Sequence, residues 1–250
     1  MSPAASDLRA LHVPGSPLVL PNAWDASSAK AIEAAGFPVV ATSSAAIARS
    51  LGAEDHEDMS ADDALAAVAR IAGAVSVPVS ADFESGYGLA PEAVAERLLA
   101  AGAVGCNIED SDHANPGALF DAATQAARIA AIRAAAGDRL VINARVDTFA
   151  RRFPNARPEA IERGRRYLDA GADCVYPIIA GDEADIAAMV EALGVINVML
   201  RRGAPTIARC AELGVARVSV GSGLFSIMTS QVGAVLTSIR DGDDSIFQKG

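Results

Sequence analysis

The sequence predicts one domain of the α/β class, folded as a (β/α)8 TIM barrel. Short runs of β-branched residues alternate with alanine-rich stretches from beginning to end, which is the pattern of repeated βα units. Eight such units fit into 250 residues, the length typical of this barrel. A doubly wound sheet is the alternative, but no Gly-x-Gly-x-x-Gly follows the first strand. We therefore expect a barrel over residues 1–240 and a C-terminal tail over residues 241–250.

Each strand is predicted where β-branched residues cluster, and each helix where small or apolar residues recur at helical spacing. The predicted strands are 18–22, 38–43, 77–84, 104–109, 140–146, 174–179, 195–200 and 216–221. The predicted helices are 26–35, 61–73, 91–101, 121–135, 158–170, 183–193, 205–213 and 223–240. Four glycines directly follow predicted helices and are expected to end them in the left-handed conformation: Gly36, Gly102, Gly171 and Gly214.

Composition excludes several classes of partner. The formal net charge is −10, which argues against binding to nucleic acid or to an anionic membrane. No apolar run reaches the roughly 18 residues that a membrane span needs, and the first residues lack the pattern of a signal peptide. The three cysteines form no Cys-x-x-Cys pair, which is typical of a reducing compartment. We expect a cytoplasmic protein.

Polar residues at the ends of three predicted strands indicate a functional site. Side chains alternate along a strand, so the polar residues of these strands share the inward face while their apolar neighbours face the helices. The inward pairs are Asp82 with Glu84, Asn107 with Glu109, and Asn143 with Arg145. Barrel active sites lie at the carboxyl ends of the strands. The sequence therefore predicts an active site there.

The charge of this interior predicts a metal ion. Asp82, Glu84 and Glu109 oppose only Arg145, and the excess negative charge is costly in a pocket of low dielectric. Carboxylate oxygens favour Mg²⁺, with Mn²⁺ possible. Since Mg²⁺ keeps several waters, one carboxylate can bind directly while the others hold waters. The alternative is an interior salt-bridge network closed by Arg145 and a protonated acid.

Four motifs on four strands resemble the isocitrate lyase/phosphoenolpyruvate mutase superfamily, over residues 18–222. They are the segment ATSSAAIARSLGAED at 41–55, Asp82-Phe-Glu-Ser-Gly-Tyr-Gly88, Ile108-Glu109-Asp110, and Ala144-Arg145-Val146-Asp147. The resemblance implies a Mg²⁺-dependent lyase or decarboxylase that cleaves a C–C bond of a small 2-oxo or 2-hydroxy carboxylic acid through an enolate. It places Ser43 at the carboxylate-binding serine and Asp55 at the acid of the following loop. It also implies a homo-oligomer, a dimer or tetramer that exchanges the C-terminal helix.

The residues and the resemblance together give a set of expected site residues. The catalytic residues are Arg145, Asp55, Glu109 and His113. The substrate-binding residues are Ser43, Ser44, Trp24, Gly86, Tyr87, Asn107, Asn143 and Asn197. The metal ligands are Asp82, Glu84 and Glu109.

The loop at 111–120 departs from the superfamily's patterns. It lacks the Lys-Lys-Cys-Gly-His-type motif of the lyases, and it lacks the lysine of the phosphonate-converting members, although Asn115 is present. Ile178 falls near the position where those members place a histidine. Two alternatives therefore stay open: an enzyme acting on the P–C bond of a phosphonate, and a catalytically weak barrel that binds an oxo-acid.

Histidines and arginines outside the motifs are interpreted as surface residues. His113 is the only group of the atypical loop that titrates near neutral pH, and it is read either as a proton donor or, preferably, as a solvated loop residue. His12 and His56 are expected at the surface. The stretch from Arg151 to Arg166 is expected to be a solvated helix face or a subunit contact.

Overall fold

Parallel strands follow one another around a ring in the computed structural model, which describes residues 5–248. The strands are β1 (Leu18–Leu20), β2 (Asn22–Ala23), β3 (Val40–Thr42), β4 (Val79–Asp82), β5 (Gly105–Glu109), β6 (Val141–Val146), β7 (Cys174–Pro177), β8 (Asn197–Met199) and β9 (Arg217–Ser219). Strands β2 to β7 pair in sequence order, and β9 pairs with both β1 and β8. A parallel bridge from Val175 to Ile196 connects β7 to the β8 side. Only Pro21 separates β1 from β2, so the pairing order is cyclic, and the predicted barrel is confirmed.

Helices cover the outside of this ring. They are α1 (Ala5–Ala10), α2 (Ala26–Ala34), α3 (Ser44–Leu51), α4 (Ala61–Ala72), α5 (Pro91–Ala100), α6 (Ala122–Ala136), α7 (Ala156–Asp169), α8 (Glu183–Leu193), α9 (Ile207–Glu212) and α10 (Gly223–Arg240). All eight predicted helices are present, while α1 and α3 lie outside the predicted set. Gly36, Gly102, Gly171 and Gly214 have φ of +88°, +86°, +101° and +86°, which confirms the predicted helix ends.

Apolar residues pack between strands and helices, and polar residues lie inside the barrel toward the carboxyl ends of the strands, beyond an apolar cluster that includes Leu20, Ala41 and Val141. Val79, Ala81 and Phe83 are buried in the apolar core. Inside, Arg217 Nη2 donates to Ser80 Oγ at 3.3 Å and to Asn107 Oδ1 at 3.2 Å, which joins β9 to β4 and β5. The predicted outward positions of Val79, Ala81 and Phe83 are therefore confirmed, whereas Glu84 follows the end of β4 with a positive φ of 45°. The expectation of Arg145 as the only interior base is wrong, because Arg217 is also buried there, only 1% exposed.

The expectation of a surface position is wrong for His12 and for Arg163, whereas Arg152, Arg157, Arg165 and Arg166 are exposed as expected. His12 is half-buried: its Nδ1 lies 2.9 Å from the carbonyl oxygen of Leu8, and its Nε2 is buried. Arg163 is buried on the inner side of α7, where its Nη1 lies 3.2 Å from Asp110 Oδ2. Nothing in the local sequence marks this burial, because Asp110 beside Arg163 and Arg217 beside His12 lie far along the chain. His56 is exposed, as expected.

The C-terminal helix is the least covered element. None of the residues of α10 is buried, and five of its large apolar side chains are exposed: Ile227, Met228, Val232, Leu236 and Ile239. Residues 241–248 of the expected tail are exposed and contain a short 3-10 helix at Ser245–Phe247, while 249–250 lie outside the described residues. Within the described chain, no helix has both the length and the apolar character that crossing a membrane requires.

Candidate active site

A cavity of about 200 Å³ opens at the carboxyl ends of the strands. Six of the residues predicted for the site line it: Ser43, Ser44, Asp55, Asp82, Asn107 and Arg145. They come from β4, β5, β6, the start of α3 and the loop after α3. The barrel thus gathers residues up to about a hundred positions apart in sequence into one small polar chamber, at the end where barrel active sites lie.

Asp82 is held rigidly at the edge of this cavity. Its Oδ2 accepts hydrogen bonds from the backbone N–H of Ser44 at 3.1 Å and from the Ser44 hydroxyl at 3.0 Å. Its Oδ1 accepts from Asn107 Nδ2 at 3.2 Å. The Asn107 amide is itself oriented, because its Oδ1 accepts from Asn143 Nδ2 at 2.8 Å and from Arg217. The carboxylate of Asp82 is therefore preorganised, which is what a metal ligand or an electrostatic catalyst requires.

Arg145 supplies the positive charge of the cavity. Its Nε and Nη2 donate to the two carboxylate oxygens of Asp147 at 2.7 and 2.8 Å, and its Nη1 lies 2.5 Å from Glu109 Oε2. Burial alone would lower the pKa of Arg145, but Glu109, Asp147 and Asp82 raise it well above its usual value. The guanidinium is therefore a permanent cation, fixed by a two-point contact that sets its plane.

Glu109 and His113 form a buried acid–base pair behind Arg145. Glu109 Oε1 lies 2.8 Å from His113 Nε2, and both side chains are nearly covered, 2% and 8% exposed. Burial raises the pKa of Glu109 to about 7, although Arg145 opposes this. Burial lowers the pKa of His113, but Glu109 more than compensates and raises it. The pair therefore holds a proton near neutral pH, and the interpretation of His113 as a solvated loop residue is wrong.

Glu84 lies on the outer side of the same group of acids. Its Oε1 accepts from the Tyr87 hydroxyl at 2.7 Å, its Oε2 accepts from the backbone N–H of Glu57 at 2.7 Å, and His113 Nε2 is 3.7 Å from Oε2. Burial raises the pKa of Glu84 to about 8. The carboxyl group therefore lacks the positive charge that would stabilise its ionised form.

The three expected metal ligands are not gathered around one point. In the part of the chain that the structure describes, Asp82, Glu84 and Glu109 do not bring three carboxylate oxygens within 4.8 Å of one another. Asp82 lines the cavity, whereas Glu84 and Glu109 do not. In this arrangement one carboxylate can bind a metal ion directly, and the other two acids can reach the ion only through water.

The donor set of the cavity fits Mg²⁺. Asp55 and Asp82 both face the cavity, and Arg145 is the only lining residue that carries a positive charge. That charge is already shared with Asp147 and Glu109. Hard oxygen donors with uncompensated negative charge are what Mg²⁺ prefers. Asp82 and Asp55 are the two carboxylates of the cavity lining that such an ion could meet.

Five of the residues expected to bind substrate do not line the cavity. Trp24 packs edge-on against Phe225, with ring centroids 5.4 Å apart. Asn143 and Asn197 lie deeper in the barrel and bond to Asn107 and Ser219. Gly86 and Tyr87 belong to the loop after β4, next to Glu84.

Sequence reasoning missed part of the lining. Asn22, Tyr176, Ser219 and Ser222 contribute polar atoms to the cavity wall. Tyr176 and Ser219 lie two residues after Cys174 and Arg217, near the ends of β7 and β9. The alternation of side chains along a strand, which places Asp82 and Arg145 inside the barrel, also places Tyr176 and Ser219 there.

Comparisons with known proteins show which family the chain is similar to. A model of the family described as phosphoenolpyruvate phosphomutase matches residues 8–240. An uncharacterized protein of Mycobacterium tuberculosis H37Rv is 37% identical over 234 residues, covering 93% of this chain and 88% of the relative. A 2-methylisocitrate lyase of Halalkalibacterium halodurans is 29% identical over 231 residues, covering 89% and 73%.

Two solved structures extend the comparison. A protein of Burkholderia cenocepacia J2315, provisionally named a phosphonomutase, has a TM-score of 0.87 at 38% identity, covering 94% of this chain and 99% of that one. A phosphonopyruvate hydrolase in complex with oxalate and Mg²⁺ has a TM-score of 0.86 at 27% identity, covering 97% and 89%. The similarity therefore extends over nearly the whole barrel.

Proposed function

Because the chain belongs to the phosphoenolpyruvate phosphomutase family, within the isocitrate lyase/phosphoenolpyruvate mutase superfamily, we propose that it is a Mg²⁺-dependent lyase or decarboxylase. Its substrate is a small 2-oxo or 2-hydroxy carboxylic acid whose C–C bond is cleaved through an enolate. The superfamily contains Mg²⁺-dependent C–C lyases and phosphonate mutases or hydrolases. The observation that carries the proposal is the small cavity in which Asp82 and Asp55 face Arg145.

The cavity offers a binding place for the carboxylate of such a substrate. Ser43, Ser44 and Ala45 line it at the N-terminal end of α3, where the helix dipole favours negative charge. The Ser43 oxygen already accepts from the backbone N–H of Ala46, so its O–H is free to donate to an anion. Arg145 contributes a fixed cation on β6. A small anionic acid would therefore be oriented from two sides.

A metal would complete the charge balance. We assign Asp82 as the direct ligand of Mg²⁺, with Glu84 and Glu109 acting through water, and Mn²⁺ as a possible substitute. When bound, the metal would supply the positive charge that stabilises an enolate. Oxalate resembles such an enolate in its planar pair of oxygens, and the similar hydrolase was crystallised with oxalate and Mg²⁺.

Two groups of the chain are assigned to proton transfer. Asp55 is the cavity carboxylate next to Ser44, with 3.4 Å between its Oδ1 and the Ser44 hydroxyl. For a 2-hydroxy acid, Asp55 would accept the hydroxyl proton as the C–C bond breaks. His113 Nε2 lies 2.8 Å from Glu109 Oε1, and the two groups share a proton behind Arg145. We assign this pair to return a proton to the product.

A phosphonate enzyme is the second candidate, and the similarity to the Burkholderia protein favours it. The loop that follows β5 argues against it. Ser111 takes the place of the lysine expected there, and its hydroxyl is occupied by Asp147 at 2.6 Å and Arg151 at 3.0 Å. The remaining alternative is a catalytically weak barrel that binds an oxo-acid. Such a protein would have the same cavity and charges but would not convert the acid.

Product formation from a panel of acids tests the proposal. Oxaloacetate, isocitrate, methylisocitrate, substituted malates and phosphonopyruvate would be incubated with Mg²⁺, and pyruvate, glyoxylate and phosphate would be measured. We expect a keto-acid product that disappears with EDTA and with Asp82→Asn, but not with the exposed control Asp62→Asn. Formation of phosphate or of phosphoenolpyruvate from phosphonopyruvate would favour the second candidate. Binding without turnover of any acid would favour the binding barrel, and both results would contradict the lyase.

The chain is also proposed to assemble with copies of itself and to be cytoplasmic. The uncovered apolar face of α10 supports the first proposal. The three cysteines, Cys106, Cys174 and Cys210, are buried free thiols, which supports the second.

A further inference from the structure

We propose that His56, Glu84 and His113 form a second cation site, selective for a divalent transition metal such as Zn²⁺, outside the cavity that holds Asp82. The three side chains come from three loops, after α3, β4 and β5. Each offers a ligand atom, and these atoms all lie within 4.8 Å of one another. Among the described residues, no other group of three histidine, cysteine or acidic residues converges in this way. The site shares Glu84 and His113 with the proposed function, so an ion bound here would displace the proton that His113 and Glu109 hold.

The donor types decide which ion the site would take. Two imidazole nitrogens and one carboxylate oxygen suit Zn²⁺ and its neighbours in the first transition series, whereas Mg²⁺ favours oxygen donors alone. Ligand atoms of a tetrahedral zinc site are about 3.4 Å apart. His113 Nε2 and Glu84 Oε2 are 3.7 Å apart, close to that separation. The rings of His56 and His113 lie side by side, with centroids 5.4 Å apart and planes inclined by 35°.

Glu84 is fixed in place and lacks a strong cationic partner. Its side chain is 3% exposed, and no arginine or lysine of the described chain forms an ion pair with it. The Tyr87 hydroxyl and the Glu57 N–H each donate to it at 2.7 Å. Glu57 is fixed in turn, since its Oε1 accepts from Ser85 and from the backbone N–H of Tyr87. Such outer contacts orient a metal-binding carboxylate.

The backbone around the site is held in an uncommon conformation. His56, Glu57 and Glu84 have positive φ of 74°, 61° and 45°, a region that residues other than glycine seldom adopt. Strained backbone of this kind concentrates at ligand-binding positions. Here it brings two of the three proposed ligands together.

An ion can reach the site from outside. A cavity of about 430 Å³ lies beside it and is lined by His56, His113, Tyr87 and Ser60, and His56 is exposed. Three protein ligands leave a coordination position open on this side. Glu109 Oε1, 2.8 Å from His113 Nε2, is the nearest further oxygen.

None of the three proposed ligands lines the inner cavity, whereas Asp82 and Asp55 do. The oxygens of Asp82 bond to Ser44 and Asn107. Binding of an ion by His56, Glu84 and His113 therefore does not depend on Asp82. Mutation of Asp82 can distinguish this site from the inner cavity.

Metal titration of the whole chain, stripped of ions with a chelator, tests the proposal. We expect Zn²⁺ to bind in calorimetry, and Co²⁺ to give visible absorption bands of a nitrogen-containing site. His56→Ala and His113→Ala should each weaken Zn²⁺ binding at least about tenfold and remove the Co²⁺ bands. Asp82→Asn should keep both signals. Circular dichroism would confirm that each variant is folded.

Two results would overturn the assignment. In the first, Zn²⁺ affinity and Co²⁺ bands are the same in the folded double variant His56→Ala/His113→Ala as in the natural chain. In the second, both signals are lost in Asp82→Asn and kept in the histidine variants, which would place the ion in the inner cavity. Absence of any Zn²⁺ binding by the natural chain would also refute the site.

Discussion

Burial disfavours the charged form of the His12 imidazole in the folded protein. The free energy of unfolding should therefore decrease when the pH is lowered. Burial, followed by the charge of Arg217, lowers the pKa of His12 from 6.5 to about 4. The unfolded chain takes up the proton near pH 6.5, before the folded chain does. The contribution of His12 to stability is therefore complete above pH 6.5 and is lost as the pH falls toward 4.

We predict that the free energy of unfolding falls by up to about 3 kcal/mol over this window because of His12 alone. Urea unfolding at pH 7.5 and pH 5, in EDTA, would be compared with the variant His12→Asn, which keeps an N–H donor for the Leu8 carbonyl. The variant should lose less stability at pH 5 than the natural chain. Equal losses in both proteins would show that His12 does not titrate in this way.

The alternation of side chains along a strand allows individual site residues to be predicted from the sequence. Asp82, Asn107 and Arg145 line the cavity because alternation fixes which face a strand residue takes, and that can be read from sequence. Tyr176 and Ser219 obey the same rule. The contact of His113 with Glu109 could not be predicted, because it depends on the conformation of a loop that has no periodicity. His12 and Arg217 were missed for a related reason, since burial of a polar residue depends on partners far along the chain.

At the scale of elements, α7 presents two arginines in opposite environments. Arg163 is 8% exposed at the side chain and pairs with Asp110, which is fully buried and also accepts from the Tyr167 hydroxyl at 2.8 Å. Arg166 pairs with Glu162 at 2.9 Å, but the two are 49% and 59% exposed. Removing one partner of a buried pair leaves an uncompensated charge, whereas an exposed pair is replaced by water.

We predict that Arg163→Met lowers the free energy of unfolding by about 3 kcal/mol, and that Arg166→Met changes it by less than about 0.5 kcal/mol. Both substitutions lie on one helix, so differences in helix propensity cancel. Chemical denaturation at pH 7 measures both values. Similar losses for the two variants would contradict the assignment of Asp110 and Arg163 to the interior.

Element boundaries followed from sequence where periodicity or a glycine marked them. The last helix runs from Gly223 to Arg240, as predicted, because its apolar spacing continues over its whole length. Helix α3 was missed although Ser43 accepts from the Ala46 N–H as its N-cap. Its eight residues are too short for periodicity to be decisive, and they lie within a segment interpreted only as a motif. This helix positions Ser44 against Asp82.

At the scale of the whole molecule, the apolar face of α10 predicts self-association. Met228, Val232, Leu236 and Ile239 are 38%, 50%, 59% and 43% exposed, and their spacing places them on one side of the helix. A groove lined by Trp24, Ile32, Phe37 and Ile207 continues along the barrel from the start of this helix. Such an extent of uncovered apolar surface is typical of an interface between chains.

We predict that Val232→Glu/Leu236→Glu converts the protein to a monomer. Light scattering coupled to size-exclusion chromatography measures the mass, and Ser230→Glu on the opposite side of α10 is the control. The control should keep the mass of the natural chain. A natural chain that is already monomeric at micromolar concentration would contradict the prediction.

The binding of oxalate tests the central claim, that this cavity stabilises an enolate with the help of Mg²⁺. Oxalate presents two adjacent oxygens in a plane, as an enolate of a 2-oxo acid does, and its binding can be measured by calorimetry without knowing the substrate. We predict binding in the presence of Mg²⁺, loss of at least about tenfold in affinity with EDTA or in Asp82→Asn, and unchanged binding in Asp62→Asn. Oxalate binding that is equally strong without Mg²⁺ and in Asp82→Asn, or no binding under any of these conditions, would contradict the account.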